Sequence, residues 1–143
     1  MPTDQTDRHL LTLLTENARA PVAELGRKLG LSRTTVQSRI ERLERRGVIA
    51  GYTARLSEDY EKGQVKAHVL ITALPKLAAR VETELRRIPE IRTLHSISGQ
   101  FDMIAVVVAP SIGELDALID RIGALEGVER TMSSIILSTR IER

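Results

Sequence analysis

The sequence predicts an α+β chain in two parts: an N-terminal winged helix-turn-helix over residues 1–56 and a C-terminal ferredoxin-like βαββαβ domain over residues 64–143. Three observations carry this reading. The first part shows helical apolar spacing and little else as far as Gly47. Within it, residues 22–43 set two short helices on either side of Gly30, with Ser32 placed to open the second. Beyond an acidic linker at 57–63 (SEDYEKG), strand-like and helical apolar patterns alternate in the order βαββαβ.

The first helix spans about Thr6 to Asn17, with Leu10, Leu11, Leu13 and Leu14 as its apolar stripe and Asp4 or Thr6 as its cap. The second begins near Pro21, whose missing N–H is tolerated in a first turn, and turns Val22, Leu25 and Leu29 inward. Gly26 inside it costs about 1 kcal/mol against alanine, so close packing against the next helix is expected there. Gly30 suits the left-handed end of a helix, Leu31 plugs the corner, and Ser32 caps helix three. Val36, Ile40 and Leu43 form the inner face of helix three; Thr34, Ser38, Arg42 and Arg45 form the outer one, with Thr35 and Gln37 at the edges. After Gly47, VIAGYTARL alternates around Gly51 as a short hairpin or wing, with Tyr52 as a plug and Arg55 within reach of a phosphate.

Hydroxyls and glutamine contact base edges, and arginine pairs with guanine or phosphate. A second helix bearing Ser32, Arg33, Thr34, Thr35, Gln37, Ser38, Arg39 and Arg42 is therefore expected to read the major groove of double-stranded DNA. The plainer alternative is a solvated helix face; the preceding helix, the Gly30 turn and the Ser32 cap in register favour DNA. Charge agrees: residues 1–56 hold ten basic and six acidic residues, and residues 57–143 hold eleven and thirteen.

In the second part, Val65 to Leu74 reads as a strand broken by Pro75, and Leu77 to Ile88 as a helix stopped by Pro89. Strands follow at Ile91 to Ser98 and at Met103 to Ala109, the latter apolar enough to be buried on both faces. Ser111 to Ala124 is a helix with Leu115, Leu118, Ile119 and Ile122 inward, and Gly127 turns the chain into a last strand, Val128 to Thr139. Two helices cover one face of such a sheet. The other keeps Val, Ile and Leu side chains with nothing left to cover them, which predicts a homodimer packed sheet to sheet. The turn Ser98-Gly99-Gln100-Phe101-Asp102 is the best small-molecule candidate, because Gly99 lets backbone amides approach a ligand and Asp102 offers a carboxylate to an ammonium group. A plain hairpin turn with Asp102 bonding backbone amides fits the same residues.

Composition excludes several classes. There is no cysteine, hence no disulfide, thiolate catalysis or cysteine-held metal. Aromatics make up 2% of the chain, so the core is aliphatic. No apolar run approaches the roughly 20 residues of a membrane helix, and the polar MPTDQTDRH start is unlike a signal peptide. A soluble cytoplasmic protein with no membrane partner is expected.

The segments TDRHLLTLLTENARAPVAELGRKLGLSRTTVQSRIERLERRGVIAGYTARL, SISGQFDMIAVVV and LEGVERTMSSIIL resemble, in order and spacing, the Lrp/AsnC (feast/famine) family of bacterial and archaeal transcription regulators. The resemblance spans nearly the whole chain. Gly26 stands where the family usually has alanine, Phe101 where it usually has tyrosine, and SEDYEKG is more acidic than the family pattern. The resemblance implies the same homodimer, assembling further to an octamer. It makes Ser98 to Asp102 an effector pocket at a contact between dimers, with the Leu125-Glu126-Gly127 loop, Thr131, Ser133 and Ser134 nearby, and an amino acid as the effector class. On this reading the chain is a sequence-specific transcriptional regulator, not an enzyme, with no metal or cofactor. Two recognition helices would meet successive major grooves about one turn apart. Two alternatives use parts of the same sequence. One is an architectural protein that compacts DNA. The other is a sirohaem decarboxylase-like enzyme built on His68 and His95; the intact basic helix and the lack of a carboxylate or nucleophile beside the histidines weigh against it.

Overall fold

Asp4 starts the first helix. In a computed structural model, which describes residues 3–143, its carboxylate accepts the Asp7 N–H at 2.7 Å and opens α1 (Gln5–Glu16). α2 (Val22–Leu29) follows Pro21 and ends at Gly30, whose φ of 69° is left-handed. α3 (Arg33–Arg45) is capped by the Ser32 hydroxyl, which accepts the Thr35 N–H. Leu10, Leu14, Leu25, Val36, Ile40 and Leu43 form one aliphatic cluster; Leu11, Leu13, Val22 and Leu29 are half-buried against it. Gly26 has a nearer cause than the packing of α3. A Cβ there would lie 2.6 Å from the Leu31 carbonyl oxygen, so in this chain the turn lies closer to α2 than an alanine would allow without a shift.

The expected wing is absent. Val48 and Ile49 both donate to the Leu43 carbonyl and pack on the cluster, but residues 50–57 run without strand pairing, and Tyr52 is 53% exposed rather than a plug. The alternation there was real, but no strand of this unit lies beside it to complete a ladder. The chain divides into two compact units, Met1–Arg55 and Leu56–Arg143. Residues 58–63 form successive turns, with Lys66 paired to Glu61 at 3.0 Å.

The second unit runs β1 (Val65–Ala73), a 3-10 turn (Pro75–Leu77), α4 (Ala78–Arg86), β2 (Ile91–Ser96), β3 (Met103–Ala109), α5 (Ile112–Gly123) and β4 (Val128–Ile135). Its four strands are antiparallel in the order β2-β3-β1-β4, the ferredoxin-like arrangement. Pro75 moves the start of the expected helix: Leu74 to Leu77 close a tighter turn, and α4 proper begins at Ala78. Ala67, Val69, Ile71 and Ala73 of β1 and Met103, Ala105, Val107 and Ala109 of β3 are buried with Val81, Leu85, Leu115, Leu118 and Ile122 from the helices.

β3 is not buried on both faces as expected. It alternates strictly, with Ile104, Val106 and Val108 only half-buried, because both helices lie on one side of the sheet. Beside them on the open face stand His68 and Leu70 of β1 and Met132 of β4, the last 51% exposed. β4 is also shorter than expected. Its pairing with β1 ends at Ile135 opposite Ala67; after one more bond, from Ile136 N–H to the Lys66 carbonyl, the chain runs unpaired, with Leu137 93% exposed. Among the described residues, no helix is long and apolar enough to cross a membrane.

Gly127 closes the α5–β4 connection. Its φ is 99°, its carbonyl accepts the Leu74 N–H at 2.8 Å, and a Cβ there would sit 2.7 Å from Leu77 Cβ and 2.9 Å from Val81 Cγ2. Left-handed strain and overpacking act together at this position. Gly127→Ala is expected to destabilise the second unit by about 2 kcal/mol or more, as a lowered midpoint in chemical denaturation. A midpoint equal to that of the parent chain would show that α4 yields to the methyl group at no cost.

Candidate nucleic-acid interface and ligand turn

The eight residues of α3 and its cap that the sequence points to do not form one surface. Ser32 and Thr35 are occupied with each other: their hydroxyls share a hydrogen bond of 2.9 Å in addition to the cap. Arg33, Thr34, Gln37 and Ser38 are exposed and, with Val22 of α2 and Glu41 one turn further on, line a shallow concave strip. Gln37 Nε2 donates to Glu41 Oε1 at 3.2 Å.

Arg39 and Arg42 turn the other way. Arg39 Nη1 donates to Asp4 Oδ2 at 2.7 Å and to Asp7 Oδ1 at 2.9 Å, and Arg42 Nη2 donates to Asp7 Oδ2 at 3.2 Å. Asp7 is only 2% exposed, the one buried charged residue described. Both arginines thus tie α3 to α1, which corrects the placement of Arg42 on the outer face. The outer-face assignment of Arg42 followed helical spacing alone; a long side chain at a stripe's edge goes to the nearest buried counter-charge. Asp7 was not singled out from sequence. Its signal was an acidic residue in the first turn of an otherwise leucine-lined helix.

These pairs shift two groups. The Arg39 guanidinium, and next the Asp7 backbone N–H, hold the Asp4 carboxyl below its usual range, while Asp4 first and then Asp7 push Arg39 up. A carboxylate with a lowered folded pKa stabilises the fold above its unfolded value, about 4, and that contribution is lost as pH falls through the folded value.

In the second unit, the Ser98–Asp102 turn joins β2 to β3 with Gly99 at a φ of 108°. Asp102 is used internally: its Oδ2 accepts the Ala73 N–H at 2.9 Å, its own N–H donates to the Ile71 carbonyl, and its carbonyl accepts from Ile97. This is the plain-turn arrangement, and it braces β1 where its register with β4 shifts between Thr72 and Ala73. Phe101 is buried, and the Arg130 guanidinium lies 4.9 Å from its ring centroid. Arg130, missed from sequence, puts a cation at this turn.

Leu125 is half-buried against the core of the sheet. Thr131 and Ser133 pair with Ile71 and Val69, whose side chains face the helices, whereas Ser134 pairs with His68 on the open face. Ser134 therefore points away from Thr131 and Ser133, because neighbouring residues of a strand point to opposite faces. His68 pairs with Val106 and His95 with Ile104, so β3 stands between the two histidines.

Comparison with known proteins gives the geometry a context. Residues 4–44 match the AsnC-type helix-turn-helix domain and residues 66–143 the Lrp/AsnC ligand binding domain. The HTH-type transcriptional regulator LrpA of Mycobacterium tuberculosis is 37% identical over 137 residues, covering 95% of this chain and 91% of that protein. The HTH-type transcriptional regulator FL11 of Pyrococcus horikoshii is 29% identical over 142 residues, 99% of this chain and 94% of that protein. Among solved structures, the M. tuberculosis leucine response regulatory protein LrpA superposes with a TM-score of 0.80 at 35% identity, covering 98% of this chain and 96% of that one. E. coli AsnC does so with a TM-score of 0.89 at 26% identity, covering 100% and 97%.

Asp7→Asn is expected to cost about 2 kcal/mol of stability, between the loss of an exposed pair and of a fully buried one, measured by denaturant titration at neutral pH. In acid, Asp4→Asn should unfold the first unit with a shallower dependence on pH than the parent chain. Identical acid limbs would show that the Arg39 contact does not contribute.

Proposed function

The chain belongs to the Lrp/AsnC family of transcriptional regulators, with a DNA-binding helix-turn-helix and a ligand-binding domain, and we propose that it binds specific DNA sequences under the control of an amino acid. One observation carries the first half of this reading. Arg33, Thr34, Gln37 and Ser38 line an exposed strip on the N-terminal turns of α3, away from the ion pairs that hold the helix in place. The N-terminal turns of a recognition helix are the part that meets base edges.

The effector is assigned to the second unit, beside the Ser98–Asp102 turn. Arg130 and the Gly99 backbone offer positive partners to a carboxylate there, while Asp102 serves mainly to hold the turn. An amino acid fits this chemistry, and a relative at 35% identity is called a leucine response regulatory protein. The half-buried row of Leu70, Ile104 and Val106 on the open sheet face supports a homodimer; further assembly to an octamer rests on the family resemblance alone. The effector would act only to the extent that it prefers one assembly or one spacing of the DNA-binding heads. Such a protein works in the cytoplasm and needs no catalytic group; His68 and His95, held apart by β3, are surface residues of the sheet.

Titration against the promoter region upstream of its own gene tests the reading. Binding is expected to weaken steeply with salt and to shift when a pool of amino acids is added. Arg33→Ala should lower the salt slope by about one, as for the loss of one phosphate contact. Arg42→Ala should act through stability instead, since it leaves Asp7 short of a partner. No binding at any salt concentration would sink the proposal, and binding indifferent to amino acids would remove its effector half.

A further inference from the structure

We infer that Glu41, through the Gln37 amide it orients, sets part of the base preference of α3: the pair selects a base that presents an exocyclic amino group in the major groove, adenine or cytosine. This rests on the DNA reading above and adds to it a residue and a chemical rule. The observation is the 3.2 Å bond from Gln37 Nε2 to Glu41 Oε1, one turn apart on the exposed strip. An ionised carboxylate has no hydrogen to give, so the amide must turn its nitrogen toward Glu41. What remains unpaired is acceptor-rich: the Gln37 amide oxygen and the second carboxylate oxygen of Glu41, against one amide hydrogen.

The major groove answers such a surface unequally. Adenine N6 and cytosine N4 donate there, whereas guanine O6 and thymine O4 accept. Acceptors set against O6 or O4 would be desolvated without a partner, and the carboxylate would repel them as well. Opposite an amino group, Glu41 receives from cytosine N4, or the amide oxygen receives from adenine N6 while the amide's remaining hydrogen can reach N7. A carboxylate on a face that approaches phosphates lowers affinity for DNA in general. Its return is discrimination, gained by penalising the wrong partner. Arg33, at the other end of the strip, supplies the opposite preference, since a guanidinium donates to guanine or phosphate.

The test is selection from a random duplex library by the full chain, by Glu41→Ala and by Glu41→Gln, followed by affinities for single-base variants of the enriched site. The wild-type motif is expected to hold one half-site position restricted, on one strand, to adenine or cytosine. In Glu41→Ala that position should lose about tenfold of its discrimination, the loss of a single good base contact, while the other positions keep theirs. Glu41→Gln has hydrogens to give as well as an oxygen, so it no longer forces the orientation of the Gln37 amide and should lose the preference as Glu41→Ala does. If Glu41→Ala enriches the wild-type motif at every position and merely binds all DNA more tightly, Glu41 acts only as a charge near phosphates and the inference is overturned. If the wild-type chain enriches no motif at all, the DNA reading fails and takes this inference with it.

Discussion

A carboxylate taken out of water must find cations, and in this chain that requirement organises the helical unit. Asp7 lies in the first turn of α1, almost wholly buried, and meets the guanidinium groups of Arg39 and Arg42 on α3. Burying the pair costs desolvation that its attraction only partly offsets, so bulk stability comes from the leucine and valine cluster instead. The ion pairs contribute direction. They fix which side of α3 faces α1, and so which side is presented outward. The Arg42 Nε–H, buried without a partner, marks how much of this corner is given over to Asp7.

The consequence is a division of labour along one helix. Basic residues in a recognition helix are easily counted as contacts to phosphate, yet two of the arginines of α3 are structural. What stays exposed is a mixed strip: a guanidinium at Arg33, hydroxyls at Thr34 and Ser38, and an amide held by a carboxylate at Gln37 and Glu41. A strip of this kind is poor in net charge and rich in directional donors and acceptors. Affinity for a polyanion follows the first quantity and sequence preference the second.

The sheet unit obeys a different constraint, the period of two. Every second residue of β1 and β3 goes under the helices; of the intervening ones, Ile104, Val106 and Val108 of β3 and Leu70 of β1 form an apolar row with no cover from this unit, beside Lys66, His68 and Thr72 of β1. At the end of that sheet, Asp102 and Gly127 do complementary work. Asp102 satisfies the Ala73 amide where the β1–β4 register slips, and Gly127 lets the α5–β4 connection lie against Leu77 and Val81. The turn that carries Phe101, with Arg130 of β4 over its ring, is therefore a braced corner and not a loose loop.

Much of this was legible in the sequence. Apolar spacing placed all five α-helices and four strands, and Ser32 and Gly30 marked the turn between α2 and α3. These are local quantities: a helix repeat, a cap and a pleat depend on residues a few positions apart. The segment after Gly47 shows the limit, since its strand-like alternation has no neighbour to pair with in its own unit. By itself, then, the sequence determined the helices, the four paired strands, their order and the apolar faces of the helices. Only the tertiary structure decided that Arg39 and Arg42 turn inward to Asp7, that Asp102 is spent on Ala73, and that Ser134 faces away from Thr131. The first two depend on partners about 30 residues distant in the chain. The third depends on strand register. Neither can be read from a residue's immediate neighbours, because long side chains and strand edges take the partners that the completed fold brings to them.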